Sequence, residues 1–124
     1  MVKSRSMVSK FAESNEQIAA MDWLRAKHPI VAEHTLHIGN ERKTSPYAGY
    51  IMKRMGVMKG ASDLFIAWPR EPYHGLFIEI KSEKGKPTQS QLDFMGRMTK
   101  VGYRTALCYG AEEVMATITE YLSY

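Results

Sequence analysis

The six residues Leu76-Phe77-Ile78-Glu79-Ile80-Lys81 are apolar enough to form a buried strand, yet they include an acid and a lysine two places apart. Strand side chains alternate between faces, so Glu79 and Lys81 share one face while Ile78 and Ile80 take the other. Charges in such a strand are costly unless they are paired or bound to a metal. A second acid closes the tetrad Gly60-Ala61-Ser62-Asp63, directly before another short apolar run, Leu64-Phe65-Ile66-Ala67. Pro69 and Pro72 mark the segment between the runs as a loop. The two strands are therefore expected to pair antiparallel and to bring Asp63 close to Glu79 and Lys81.

The remaining pattern supplies the frame. Ser14 and Gln17 read as a capping box for a first helix over 14–27, with Ile18, Met21 and Leu24 at helical spacing and Pro29 as its stop. Ile30 to Ile38 alternates like a strand, with Ile30, Ala32, Leu36 and Ile38 on one parity. Ser45-Pro46 starts a second helix that Gly56 ends, bearing Tyr50, Lys53 and Arg54. Thr88 and Gln91 form another capping box, for a helix with Leu92, Met95 and Met98 that stops at Gly102. Tyr103 to Tyr109 reads as the fourth strand, and Ala111 to Leu122 as a last helix with Val114, Ile118 and Tyr121 or Leu122 inward. The expected order is α-β-α-β-β-α-β-α, an α/β fold of the mixed-sheet α+β kind with helices on the sheet faces.

The chain has 124 residues, enough for one domain with an ordinary core. Residues 1–12, with Lys3, Arg5 and Lys10, read as a flexible basic arm ahead of a single domain over 13–124. No export leader or membrane-spanning run is visible, which makes the expected location cytoplasmic and excludes a membrane partner. Cys108 has no second cysteine for a disulfide or a shared zinc, so a buried thiol is expected. No Walker loop is present, since Pro87 follows Gly85-Lys86, and no small organic cofactor is expected.

A net charge of +4 and a pI near 9.2 favour a polyanionic partner. Arg42, Lys43, Lys53, Arg54 and Lys59 precede Asp63, and Lys84 and Lys86 follow Lys81, so basic residues flank both acidic motifs as a phosphate-binding rim would. Phosphodiester hydrolysis needs an activated water and neutralised phosphate charge, which divalent ions held by carboxylates supply. Asp63 and Glu79 are the candidate ligands, with the Ile80 carbonyl beside them, and an all-oxygen set suits Mg2+ or Mn2+. Lys81 is placed to orient the water, contact the phosphate or act as a base. Blander readings stand beside these: Asp63 as a turn residue, Glu79 and Lys81 as an edge-strand salt bridge, Gln91 as only a cap. His34 and His37, three apart in a strand, face opposite sides and make no metal pair. Tyr47, Tyr50, Trp68 and Tyr73 are candidates for stacking on unpaired bases near a junction, with core or surface packing as the first reading of each singly.

Gly60-x-x-Asp63, Ile78-Glu79-Ile80-Lys81 and Gln91 at a helix start, in this order, resemble the VRR-NUC family of the restriction-endonuclease-like PD-(D/E)xK superfamily. Asn40 and Gly56 fit its pattern, whereas Ala61-Ser62 departs from the proline often found before the aspartate. The resemblance implies metal-dependent DNA cleavage on a restriction-endonuclease-like core. It adds Glu16 of the first helix as a metal ligand, Gln91 as a supporting member of the site and Asn40 as a DNA contact, beside Lys53, Arg54, Lys59, Lys84 and Lys86 of the basic rim as candidate contacts to the DNA backbone. It also implies a homodimer that resolves branched DNA such as four-way (Holliday) junctions, as in DNA repair. A flap, fork or end-trimming nuclease and a non-catalytic DNA-binding module are the competing functions.

Overall fold

The computed structural model describes residues 2–39 and 45–123, with side chains from residue 12 onward. The elements run α1 (Val2–Lys27), α2 (Pro29–Ala32), β1 (Thr35–His37), α3 (Pro46–Arg54), β2 (Leu64–Ile66), β3 (Leu76–Lys81), α4 (Gln89–Lys100), β4 (Arg104–Tyr109) and α5 (Ala111–Leu122). The sheet order is β1-β2-β3-β4, antiparallel across the first two pairings and parallel between β3 and β4, where α4 makes the crossover. This is the mixed α/β architecture expected, with a four-residue helix added after α1.

The alternation of β2 and β3 sorts the sheet into two cores. Leu64, Ile66, Leu76, Ile78 and Ile80 pack with Ala20 and Leu24 of α1 and Val114, Ile118 and Tyr121 of α5. Each fully buried aliphatic side chain contributes about 1.5–3 kcal/mol. On the opposite face Phe65 stacks on Phe77 at 4.3 Å between centroids, and Phe94 of α4 meets Phe77 edge-on. Glu79 and Lys81 share the parity of Phe77 and extend this α4 face toward the strand's end. Cys108 is buried, as expected.

Local chemistry explains the helix ends. Ser45 Oγ accepts the Ala48 N–H, and Thr88 and Gln91 form their capping box in full. Gly56 and Gly102 take positive φ after α3 and α4, where Val57 N donates to the Met52 carbonyl and Tyr103 N to that of Met98. Both are Schellman endings that only glycine enters without strain.

Four expectations are corrected. Helix α1 begins at Val2 rather than Ser14, so the segment expected as a basic arm continues the helix and Ser14 is not its cap. No proline or glycine interrupts that stretch, and its polar residues weaken a helix without breaking it. Pro29 starts α2 instead of ending structure, because proline at the first helical position sacrifices only an unused N–H. The strand expected over 30–38 shrinks to β1, with Val31 buried while Ile30 and Leu36 are exposed. In α4 the buried residue is Phe94, with Met95 and Met98 packed beside it and Leu92 exposed.

Gly60, ahead of Asp63, has φ +86°, and a Cβ there would collide with the Ser90 backbone at the start of α4. Gly60→Ala is expected to destabilise the protein by at least about 1–3 kcal/mol, measured by urea denaturation.

Candidate metal centre

The β2–β3 register pairs Leu64 with Ile78, and one further step sets Asp63 opposite Glu79. Asp63 is held from both ends. Its Oδ2 accepts the Ile80 N–H at 2.7 Å, prolonging the ladder with a side-chain bond. Its carbonyl accepts the Ile38 N–H at 2.9 Å and lies 2.9 Å from His37 Nδ1. Glu79 is 2% exposed, and its Oε2 is 3.6 Å from the buried Lys81 ammonium. Among the described residues, Glu79 Oε1 has no hydrogen-bond partner.

The electrostatics follow from this crowding. Burial first, and then the neighbouring Asp63 carboxylate, push the Glu79 carboxyl up to about 8, against the opposing pull of Lys81. Lys81 offsets only one of the two carboxyls and leaves Glu79 Oε1 unpartnered, a deficit of the kind that a hard divalent cation would fill. Asp63 and Glu79, with the neighbouring Ile80 carbonyl, are the oxygen donors that would hold Mg2+ or Mn2+ here. Among the described residues, no set of three or more His, Cys, Asp or Glu side chains is gathered into a metal cage.

The acid from α1 differs from the expected one. Glu16 Oε1 accepts the Ala111 N–H at 2.6 Å, capping α5 from a distance because its own N-cap, Gly110, has no side chain. Glu13, one turn earlier, lines a cavity of about 260 Å³ together with Gln17, His37, Asp63 and Ile80. Its Oε2 also approaches the Ser82 amide at 3.5 Å. Glu13 is therefore the α1 carboxylate that shares a cavity with Asp63, and two acids one helical turn apart were the sequence signal for it. His37 and Gln17 are the other members the sequence did not single out; Gln17 Nε2 lies 3.1 Å from His37 Nδ1. His34 turns away onto the Ile30 carbonyl and the Trp68 ring.

The remaining candidates lie outside this cluster. Gln91 Oε1 accepts the Thr88 N–H at 2.9 Å, so its amide oxygen belongs to the cap. Lys84 and Lys86 are exposed on the loop after β3, which folds back so that Gly85 faces both Glu13 and Lys81. Lys53 and Arg54 are exposed on α3, and Lys59 on the segment leading to Asp63. Asn40 lies outside the described residues.

A raised carboxyl favours folding below its ordinary value of 4.5, and that advantage is lost as pH rises through the folded value. The metal-free protein is expected to lose melting temperature between pH 4.5 and about 8, and Glu79→Gln to flatten that part of the profile in thermal denaturation at graded pH.

The VRR-NUC domain model matches residues 11–112, a span that includes Glu13, Asp63, Glu79, Lys81 and Gln91. A solved structure described as a VRR_NUC domain protein is similar at 30% identity and a TM-score of 0.77, over 90% of this chain and 88% of that one. No curated protein matches the chain. With the domain model spanning most of its length and the paired acids and lysine on adjoining strands, this chain belongs to the VRR-NUC family of nuclease domains.

Proposed function

We propose that this VRR-NUC domain is a divalent-metal-dependent DNA endonuclease that hydrolyses phosphodiester bonds in branched DNA, four-way junctions first among them, and acts as a homodimer. The observation that carries the catalytic part is Glu79 Oε1, buried and without a partner beside Asp63 and Lys81. Asp63, Glu79 and the Ile80 carbonyl would hold Mg2+ or Mn2+, with Glu13 rather than Glu16 as the carboxylate from α1. A bound ion would neutralise charge on the phosphate and ease deprotonation of a water to the attacking hydroxide near neutral pH.

The chain's own residues do the rest. The Ile80 N–H fixes the rotamer of Asp63, so one carboxylate oxygen is held in place while the other is left to ligate. Lys81 keeps positive charge 3.6 Å from Glu79 and near the phosphate's approach, where it orients the water or stabilises the phosphoryl oxygens. Lys84 and Lys86 on the overlying loop, with Lys53, Arg54 and Lys59, bind the backbone phosphates without reading sequence. Gln91 supports the start of α4. A four-way junction has approximate two-fold symmetry, and a two-fold dimer would present one site to each of two opposed strands.

The test is cleavage of a labelled four-way junction, a flap and a matched linear duplex, in Mg2+ or EDTA. Paired symmetric nicks confined to the junction are expected in Mg2+ alone, and Asp63→Ala is expected to reduce them at least about a hundredfold. Cleavage mainly of the flap or duplex would overturn the junction assignment, and binding without metal-dependent cleavage would overturn the catalytic one.

The two α1 acids separate by readout. Glu13→Gln is expected to lower cleavage with little change in melting temperature. Glu16→Ala is expected to lower stability by about 1 kcal/mol through loss of the α5 cap, measured by denaturant titration.

A further inference from the structure

Helix α3 buries none of its side chains, and among the described residues no other helix or strand packs extensively against it. Tyr47 and Tyr50, three residues apart, occupy one stripe of this helix and are 73% and 54% exposed. Arg54 continues the stripe. Its guanidinium lies 5.7 Å from the Tyr50 ring centroid and donates from Nη1 to the phenol oxygen at 3.4 Å. A cation is thereby held beside an exposed aromatic ring.

Within the span from Ser45 to Ser62 the charge is of one sign. Between Ser45 and Ser62 there is no aspartate or glutamate, while Lys53, Arg54 and Lys59 fall within that span. Among the described residues none of these three cations forms an ion pair with a carboxylate. A second copy seated symmetrically on the same stripe would set the cations of this span against their own copies, with no acid of the span to pair them. A nucleic acid strand meets both demands, with phosphates for the basic groups and base faces for the rings. Bases inside a duplex are already stacked on both sides, so only an unpaired base offers a free face. The segment after α3 runs through Gly60, seated on the Ser90 backbone, directly into Asp63. The stripe is thus joined to the metal-binding aspartate through a glycine fixed against α4.

We propose that α3 is a recognition platform for an unpaired nucleotide, with Tyr47 and Tyr50 stacking the base and Arg54 and Lys53 holding the adjoining phosphates. This rests on the nuclease reading for its biological setting, but it concerns binding and is testable without cleavage.

The experiment uses the whole chain in EDTA and DNA carrying 2-aminopurine either at an unpaired position next to a duplex or within a continuous duplex. Stacking predicts fluorescence quenching on binding at the unpaired position only. Tyr47→Ala and Tyr50→Ala are expected to reduce that quench and to weaken binding of the unpaired substrate about tenfold relative to the duplex. Tyr50→Phe, which keeps the ring and loses the hydroxyl, is expected to restore the quench. Full quenching in both alanine variants would overturn the proposal. So would a parent dimer in analytical ultracentrifugation that dissociates when either tyrosine is replaced, since a second copy would then occupy the stripe. Tyrosine-dependent quenching by a protein that cleaves none of the substrates in Mg2+ would support the platform and overturn the nuclease reading alone.

Discussion

A single hydrogen bond, from the Ile80 N–H to Asp63 Oδ2, holds the acid ahead of β2 against the strand that carries Glu79. Without it, Asp63 would be a turn residue at a strand entrance, free to rotate into solvent. With it, two carboxyls are kept side by side where β2 and β3 meet, and one of them is almost wholly removed from water. That arrangement opposes folding in its ionised form, and the surrounding core offsets the penalty. The aromatic cluster of Phe65, Phe77 and Phe94 lies on the same face of the sheet as Glu79, and the aliphatic core lies behind it. Stability and chemistry are thus divided along the length of β3, with packing at one end and charge at the other. Sites that need charge held in a fixed arrangement are commonly built this way, on rigid strands rather than loops.

Much of this was legible because the informative signals were local. Alternation in Leu76–Lys81, the Thr88 capping box and the Ser45-Pro46 helix start each depend on a few neighbouring residues, and each appears in the structure. The antiparallel pairing of β2 with β3 followed from a short loop between them. What was not legible depended on competition between local signals or on distant partners. Pro29 is compatible with both a stop and a start, and the buried position of Val31 selects the start. Ser14 and Gln17 have cap chemistry, but nothing before them prevents the helix from continuing.

The site was legible in its strands and less so in its helix. Asp63, Glu79 and Lys81 announce themselves because charge is conspicuous in an apolar strand. Glu13 and Glu16 stand in a polar helix where acids are unremarked, and only the position of Ala111 assigns one of them to structure. His37 was set aside as half of a metal pair, whereas its Nδ1 lies against the Asp63 carbonyl. A side chain-to-backbone contact of that kind leaves no spacing pattern to read.

The bond from Glu16 to Ala111 joins residues 95 positions apart in the chain. Together with the buried Ala20 and Leu24 it fixes the rotational phase of α1 about its own axis, and so the direction of every other residue on the helix. Glu13 faces the cavity one turn before Glu16, which is fastened to the start of α5. The last helix therefore acts as an index mark for the first. A chain cut short before α5 would retain every acid and lysine of the centre and lose the alignment that makes them a set.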